Sequence, residues 1–428
     1  MSATRIAGVL GRRIWDSRGR PTVEAEVRLA CGAIGRAIAP AGASRGAGEA
    51  VDLRDGGASF GGLDVSRAVA AVSGEISASL AGADADDQAG VDRILIALDG
   101  TAGKSRLGGN ALVAVSMAAA RAAAAAAGRP LWRHLGGTAD SVLPLPEIQI
   151  FGGGAHAGRR IDVQDYMVIA VGAADYVQAL DWSAEVYRAA GELLSEAGRR
   201  YGVADEGGHW PAFESNEEGL ALLVRAIERA GLRPGEDMAI SLDIAASELG
   251  RNGRYSLAHE GRDLDGDALR ALLLDWIRRY PIVAIEDPLA EDDAEGWVEF
   301  TRAAGTGVEV VGDDLLVTDA ARVAAAAERG ACNAVLLKPN QAGTLSETRA
   351  ALDAARRAGF GAIVSARSGE SEDATIVHLA VGWGVPQLKV GSIARAERTA
   401  KWNEGLRIAE ALGGRGWLPA MKFLPWRK

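Results

Sequence analysis

Six short apolar runs in the second part of the chain each close on a charged side chain, and this series constrains the fold more than any other feature. They are Ile240–Asp243, Ile282–Glu286, Val308–Asp313, Ala334–Lys338, Ala362–Arg367 and Gln387–Lys389. Successive charged ends lie 43, 27, 25, 29 and 22 residues apart, the rhythm of repeated strand–helix units. Continuous apolar strands belong to a parallel sheet covered on both faces. Charged groups closing them belong at the C-terminal mouth of a barrel, where such folds keep their chemistry. The expected fold class is therefore α/β. An N-terminal α+β domain over residues 1–135 precedes a (β/α)8-type barrel over residues 136–428.

The N-terminal part reads differently. Apolar-rich stretches Arg5–Trp15 and Thr22–Leu29 flank the turn-forming Asp16-Ser17-Arg18-Gly19-Arg20-Pro21, which predicts two strands. Small residues in Pro40–Gly46 predict a mobile loop. Segments 63–99 and 108–127 read as helical, the second ending in Ala122–Ala127 with Gly128 as its cap. Residues 130–146 read as the connection between domains.

Composition narrows the function classes. The 428 residues carry 57 acidic and 47 basic side chains, a formal net charge of −10, which argues against a general nucleic-acid binder. Cys31 and Cys332 stand three hundred residues apart without CxxC context, so neither a disulfide framework nor a zinc module is expected. No run of 18 uncharged apolar residues occurs and the start lacks the apolar core of a signal peptide, so a cytoplasmic protein without membrane contact is expected.

Asp243, Glu286 and Asp313 close consecutive apolar runs and should converge at one mouth. Three carboxylates at close quarters repel unless a cation sits among them, and an all-oxygen set favours Mg2+. Lys338 and Lys389 close further runs in the series. A lysine beside a metal or another cation can have a lowered pKa and act as a base. Glu206, followed by two glycines, is an acid on a tight turn. Lysine base, carboxylate acid and Mg2+ together describe proton removal next to a carboxylate followed by elimination.

The motifs that carry these residues resemble those of the enolase family over nearly the whole chain. They are Asp16–Glu24, Asp205–Gly208, Ile285–Pro288, Gly312–Leu315, Leu336–Glu347 and Arg367–Glu370, in the family's order. The resemblance implies that Asp243, Glu286 and Asp313 bind a first Mg2+ and that Ser44 helps bind a second. It implies Lys338 as the base at C2, Glu206 as the acid at the departing C3 hydroxyl, and Lys389 as the holder of the substrate carboxylate. It places His156, Gln164, Arg367 and Ser368 along the substrate, and it implies a homodimer or higher homo-oligomer.

The departures from the family pattern concern the surrounding wall. Ala366 stands where the family has a histidine that contacts the substrate phosphate, which removes a donor and opens space. Asp165 stands where a glutamate helps manage the leaving hydroxyl. Gly152 replaces an asparagine and Ala41 a loop serine. Arg159, Arg160 and Arg45 add positive charge to loops, and His209 and Trp210 replace smaller side chains. Each added group has an ordinary alternative role: solvated charge for the arginines, packing for Trp210.

Retention of all five metal and lysine positions beside an altered wall is similar to the enolase-like carboxyphosphonoenolpyruvate synthases of phosphinate antibiotic pathways. That resemblance implies a phosphorylated carboxylate substrate and a donor such as CMP-phosphonoformate, met by Arg159, Arg160 or Arg45, with Trp210 stacking on the base. An ordinary phosphopyruvate hydratase acting on 2-phosphoglycerate is the alternative. A non-catalytic binding protein on the same fold is a third reading.

Overall fold

A computed structural model describes residues 3–414 and 416–418; the expected domain ends at residues 1 and 428 lie outside the described residues. The chain opens with an antiparallel sheet of β1 (Ile6–Trp15), β2 (Pro21–Leu29) and β3 (Ile34–Ile38), paired in the order β1-β2-β3. The sequence reading missed β3, whose five residues follow β2 after a short turn. One face of this sheet packs on helix Gly109–Ala126. That helix is long and apolar enough to cross a membrane, yet 83% of it is buried inside the molecule. Its small side chains let the sheet approach closely: a Cβ on Gly35 of β3 would lie 2.2 Å from the backbone oxygen of Ala118.

The predicted helical segment 63–99 is divided. Ser66–Ala71, a π-helical turn Val72–Ile76 and Ser77–Leu80 run continuously, and Gln88–Asp99 follows after a loop. Asp87 caps the second part by accepting the Gly90 N–H, and Gly100 ends it in a left-handed conformation.

Eight strands close the barrel. In chain order they are β4 (Leu145–Gly152), β5 (Asp165–Ile169), β8 (Ala239–Asp243), β12 (Ile282–Glu286), β13 (Glu309–Gly312), β14 (Ala334–Leu337), β15 (Gly361–Ser365) and β16 (Gln387–Gly391). Pairing of β16 with β4 completes the ring. Between β5 and β8 lies a hairpin, β6 (Arg200–Val203) and β7 (His209–Pro211), with β7 attached to β4. A small antiparallel sheet of β9 (Gly250–Arg251), β10 (Arg254–Leu257) and β11 (Arg262–Asp265) sits between β8 and β12.

The ring departs from eight identical strand–helix units at one place. Strand β5 pairs antiparallel with both β4 and β8. Its start, rather than its end, therefore lies at the mouth, and Asp165 is in register with Asp243. The six runs read from the sequence are all barrel strands. Asp243 and Glu286 are last in their strands, whereas Asp313 and Lys338 follow theirs by one residue. Lys389 is the third of five residues in β16. It is paired in register with Ser365 and Glu147, which places it deeper than the others.

Candidate active site

The barrel mouth gathers a group of buried charges. Asp165, Asp243, Glu286, Asp313, Lys338 and Lys389 are all below a tenth exposed. The two lysines lie among the acids. Lys389 Nζ is 2.6 Å from Glu286, 2.9 Å from Asp243 and 3.6 Å from Asp165. Lys338 Nζ is 2.5 Å from Asp313, whose other oxygen accepts from Gln341 at 2.8 Å. Ion pairs buried this deeply are held by geometry and by their remaining hydrogen bonds.

Burial works against the charge on Lys338, but Asp313 beside it outweighs burial and raises its pKa. Lys389 moves further in the same direction, against burial, through Asp243, Glu286 and Asp165. Their acid partners thus favour the charged form of both lysines, whereas a base has to be neutral. For Lys338 to serve as one, the charge of Asp313 has to be taken up by another cation.

The residues present fit such a cation. Among the described residues, Glu286 Oε1 and Gln164 Oε1 are buried acceptors without a hydrogen-bond donor, and Asp165 Oδ2 has only the 3.6 Å ion pair with Lys389. Burial and then the repulsion of Asp243 push the Glu286 carboxyl well above the ordinary range. An oxygen-rich set of unpartnered acceptors and mutually repelling carboxylates is what a hard divalent ion requires. Among the described residues, two groups bring single ligand atoms within 4.8 Å of one another: His156, Asp165 and Glu206, and Asp287, Asp313 and Asp314. Asp243, Glu286 and Asp313 do not form such a group; Lys389 pairs with the first two and Lys338 with the third. Asp287 fixes the loop after β13 by accepting the N–H groups of Asp313 and Asp314, both at 2.9 Å.

The acid side of the site is also assembled. His156 Nδ1 lies 3.1 Å from Asp165, and its Nε2 lies 3.9 Å from Glu206. Burial opposes the charged imidazole, but Asp165 and Glu206 overcome it and raise the His156 pKa. The converse holds for Asp165: burial would raise its carboxyl, and His156 and Lys389 hold it below the usual range. Gln149 donates to Asp165 and, through its oxygen, receives the Gly208 N–H at 2.8 Å. Gln164 donates to Asp243 at 3.1 Å.

Arg367 forms the opposite wall. It donates to Glu49 and to the Ser44 carbonyl, both at 2.9 Å. Burial disfavours its charge, yet Glu49 pushes its pKa up. The loop carrying Ser44 and Glu49 therefore closes onto this arginine. Only glycine fits at position 42, since a Cβ there would lie 1.8 Å from the Arg367 guanidinium. Ser368 is buried and accepts from Arg18 at 3.2 Å. Ala366, 6% exposed, donates its N–H to the Lys389 carbonyl at 2.9 Å, and its side chain ends at Cβ on the cavity wall.

Ser44, His156, Gln164, Asp165, Glu206, Asp243, Lys338, Ala366, Arg367, Ser368 and Lys389 line one narrow cleft of about 20 Å3, room for little more than a water. Roomier cavities of about 620 and 470 Å3 lie elsewhere, beside β3, Arg121 and His378, and hold none of this chemistry.

The loop residues Arg45, Arg159, Arg160, His209 and Trp210 do not line the cleft. Arg45 pairs with Asp52 at 3.0 Å and Arg159 with Glu248. The Arg160 guanidinium lies 4.4 Å from the Tyr201 ring centre and 5.5 Å from that of Trp210. The face of Trp210 expected to be open for a base thus has Arg160 over it. His209 stacks on Tyr187 at 4.0 Å and is a packing residue.

Sequence reasoning missed Glu49, Gln149, Gln341 and Glu147. Glu147 is fully buried and accepts from Ser241. Glu147 and Gln149 alternate with Ile148 and Ile150 along β4, a period of two that could have revealed an inward polar face.

Known domain families match both parts of the chain. "Enolase, N-terminal domain" matches residues 6–135 and "Enolase, C-terminal TIM barrel domain" matches residues 140–424. With an enolase-type barrel mouth and matches over both domains, the chain belongs to the enolase family.

Proposed function

We propose that this chain is a Mg2+-dependent enolase-superfamily enzyme that makes carboxyphosphonoenolpyruvate from a phosphorylated carboxylate such as 2-phosphoglycerate and CMP-phosphonoformate. Elimination releases water, the phosphonoformyl group passes from CMP to the enol oxygen, and the phosphoryl group it displaces leaves on CMP as CDP. The observation that supports it is Ala366. A side chain that stops at Cβ faces the cleft between Lys389 and Arg367, while every proton-transfer group around it is retained. That combination leaves the elimination chemistry intact and makes room for a carboxyl group on phosphorus.

Asp243, Glu286 and Asp313 would hold the metal, with Ser44 from the loop near a second ion. Bound Mg2+ supplies charge neutralisation for the ene-diolate that follows proton loss. Lys338, once released from Asp313, accepts the C2 proton. Lys389 holds the substrate carboxylate. Glu206, supported by His156 and Asp165, assists departure of the C3 hydroxyl as water. Arg367 and Ser368 bind the phosphoryl end, and closure of the loop over residues 41–49 excludes water. The cleft is too small for substrate with the loop closed onto Arg367, so binding begins with exchange of Glu49 for a substrate anion.

A second reading, an ordinary phosphopyruvate hydratase making phosphoenolpyruvate, is favoured by the cleft lining, which includes Lys338, Glu206 and Lys389 but none of the loop arginines. The deciding measurement is the ultraviolet assay for enolpyruvate formation from 2-phosphoglycerate and Mg2+, with and without CMP-phosphonoformate, followed by phosphorus NMR. Little turnover alone and a new carboxyphosphonate signal with donor is the expected result. Rapid phosphoenolpyruvate formation without donor would establish the hydratase instead. Neither product, together with ligand binding that ignores Mg2+, would indicate a binding protein. The family's usual homo-oligomer and a cytoplasmic setting accompany this proposal.

A further inference from the structure

Arg45, Arg159 and Arg160 stand on the loops that carry the cleft residues Ser44 and His156, and the structure separates them. Arg45 and Arg159 are committed to Asp52 and Glu248. Arg160 is exposed, and among the described residues no carboxylate lies within ion-pairing distance of it. Its guanidinium instead lies over the rings of Tyr201, itself 58% exposed, and Trp210. The split has a backbone cause. Gly158 and Arg159 are both left-handed, with φ of 61° and 56°, which sends adjacent arginines toward different neighbours.

The place of this cluster matters. Arg160 follows His156 by four residues, and Tyr201 and Trp210 stand on the two strands of the hairpin whose turn carries Glu206. The two segments are joined by the Asp205 N–H, which donates to the His156 carbonyl at 3.0 Å. A guanidinium with a face against aromatic rings is held in orientation, and its donors lie around its edge, free to receive two oxygens of one anion.

We propose that Arg160, held by Tyr201 and Trp210, is the rim site that receives an oxyanion of the second reactant, either the nucleotide phosphate or the phosphonoformate end of the donor. This rests on the synthase reading, which requires a second anionic reactant larger than the cleft. Arg160 is then a specificity-determining residue that discriminates two-reactant synthesis from simple dehydration.

Binding calorimetry on the full chain with saturating Mg2+ tests it, with CMP, phosphonoformate and 2-phosphoglycerate as separate probes. Arg160→Gln is expected to weaken CMP or phosphonoformate at least tenfold, and the probe that is lost identifies the anion. The loss for 2-phosphoglycerate should be no more than threefold. Arg160→Lys should restore only part of the affinity, because an ammonium has no planar fork. Tyr201→Ala should give a smaller loss than Arg160→Gln. Equal weakening of all three probes, no weakening, or absence of binding of both donor fragments to the unaltered protein would overturn the proposal. Donor-fragment binding that depends on Arg160, without any carboxyphosphonate product, would retain this site and remove the synthase reading. Product formed by Arg160→Gln at an unchanged KM for donor would do the reverse.

Discussion

The barrel mouth and the rim around it are built on opposite principles. At the mouth, Asp243, Glu286, Asp313, Lys338 and Lys389 are buried on or just beyond strands and hold one another through ion pairs of 2.5 to 2.9 Å. At the rim, Arg45, Arg159 and Arg160 sit on loops, half-exposed or exposed, each with a different kind of partner. Strands give the reacting groups fixed positions, and loops let recognition change without disturbing them. Ala366 and the loop arginines stand in the wall and on the rim, apart from the ion-paired mouth.

Removing a group from the mouth should have the largest effect. Lys338→Ala should lower kcat by roughly a thousandfold, the scale of a lost general base, with an unchanged circular dichroism spectrum. Activity within tenfold of the unaltered protein would show that another group removes the proton. A change in the wall should act through selectivity. Ala366→His should reduce turnover with the phosphonoformate donor by about tenfold, on the scale of one steric or polar mismatch in a binding pocket. Unchanged donor-dependent turnover would remove the argument from space.

The loop latch should be weaker still. Glu49→Gln removes the charge that competes with substrate for Arg367, so KM should fall by about threefold, as for loss of a single charge contact. A raised KM would show instead that Glu49 orders the loop for binding.

The smallest effect concerns the His156–Asp165 pair and stability. The raised His156 pKa contributes stability fully below its unfolded value of about 6.5 and loses it as pH rises through the folded value. The lowered Asp165 pKa contributes above about 3.8 and loses it as pH falls through the folded value. The joint contribution is therefore greatest between about pH 4 and 6.5. The Tm difference between the unaltered protein and His156→Gln should shrink from pH 5.5 to pH 9, by on the order of 1–2 °C for a chain this long. A difference that grows with pH would contradict the ion pair.

Legibility in the sequence followed the strength of the local pattern. The six apolar runs were readable because strands buried on both faces leave no polar interruption before their charged ends. Strands β4 and β5 were not read among them, because Glu147, Gln149 and Asp165 place polar groups inside the barrel and break that pattern. The antiparallel direction of β5 has no local signature at all. The partners of the lysines were not legible for a related reason: they come from other strands, and Lys338 and Asp313 are 25 residues apart.

The class of fold, the barrel rhythm and the set of acids and lysines at its mouth are written in the order of residues, since periodic burial and strand termini are local properties of the chain. How those charges pair, that Glu49 closes the loop onto Arg367, and that Arg160 rather than Arg159 or Arg45 has no carboxylate partner among the described residues emerge only on folding. Those outcomes depend on backbone angles at single residues and on contacts between segments distant in sequence, where small differences in direction choose the partner.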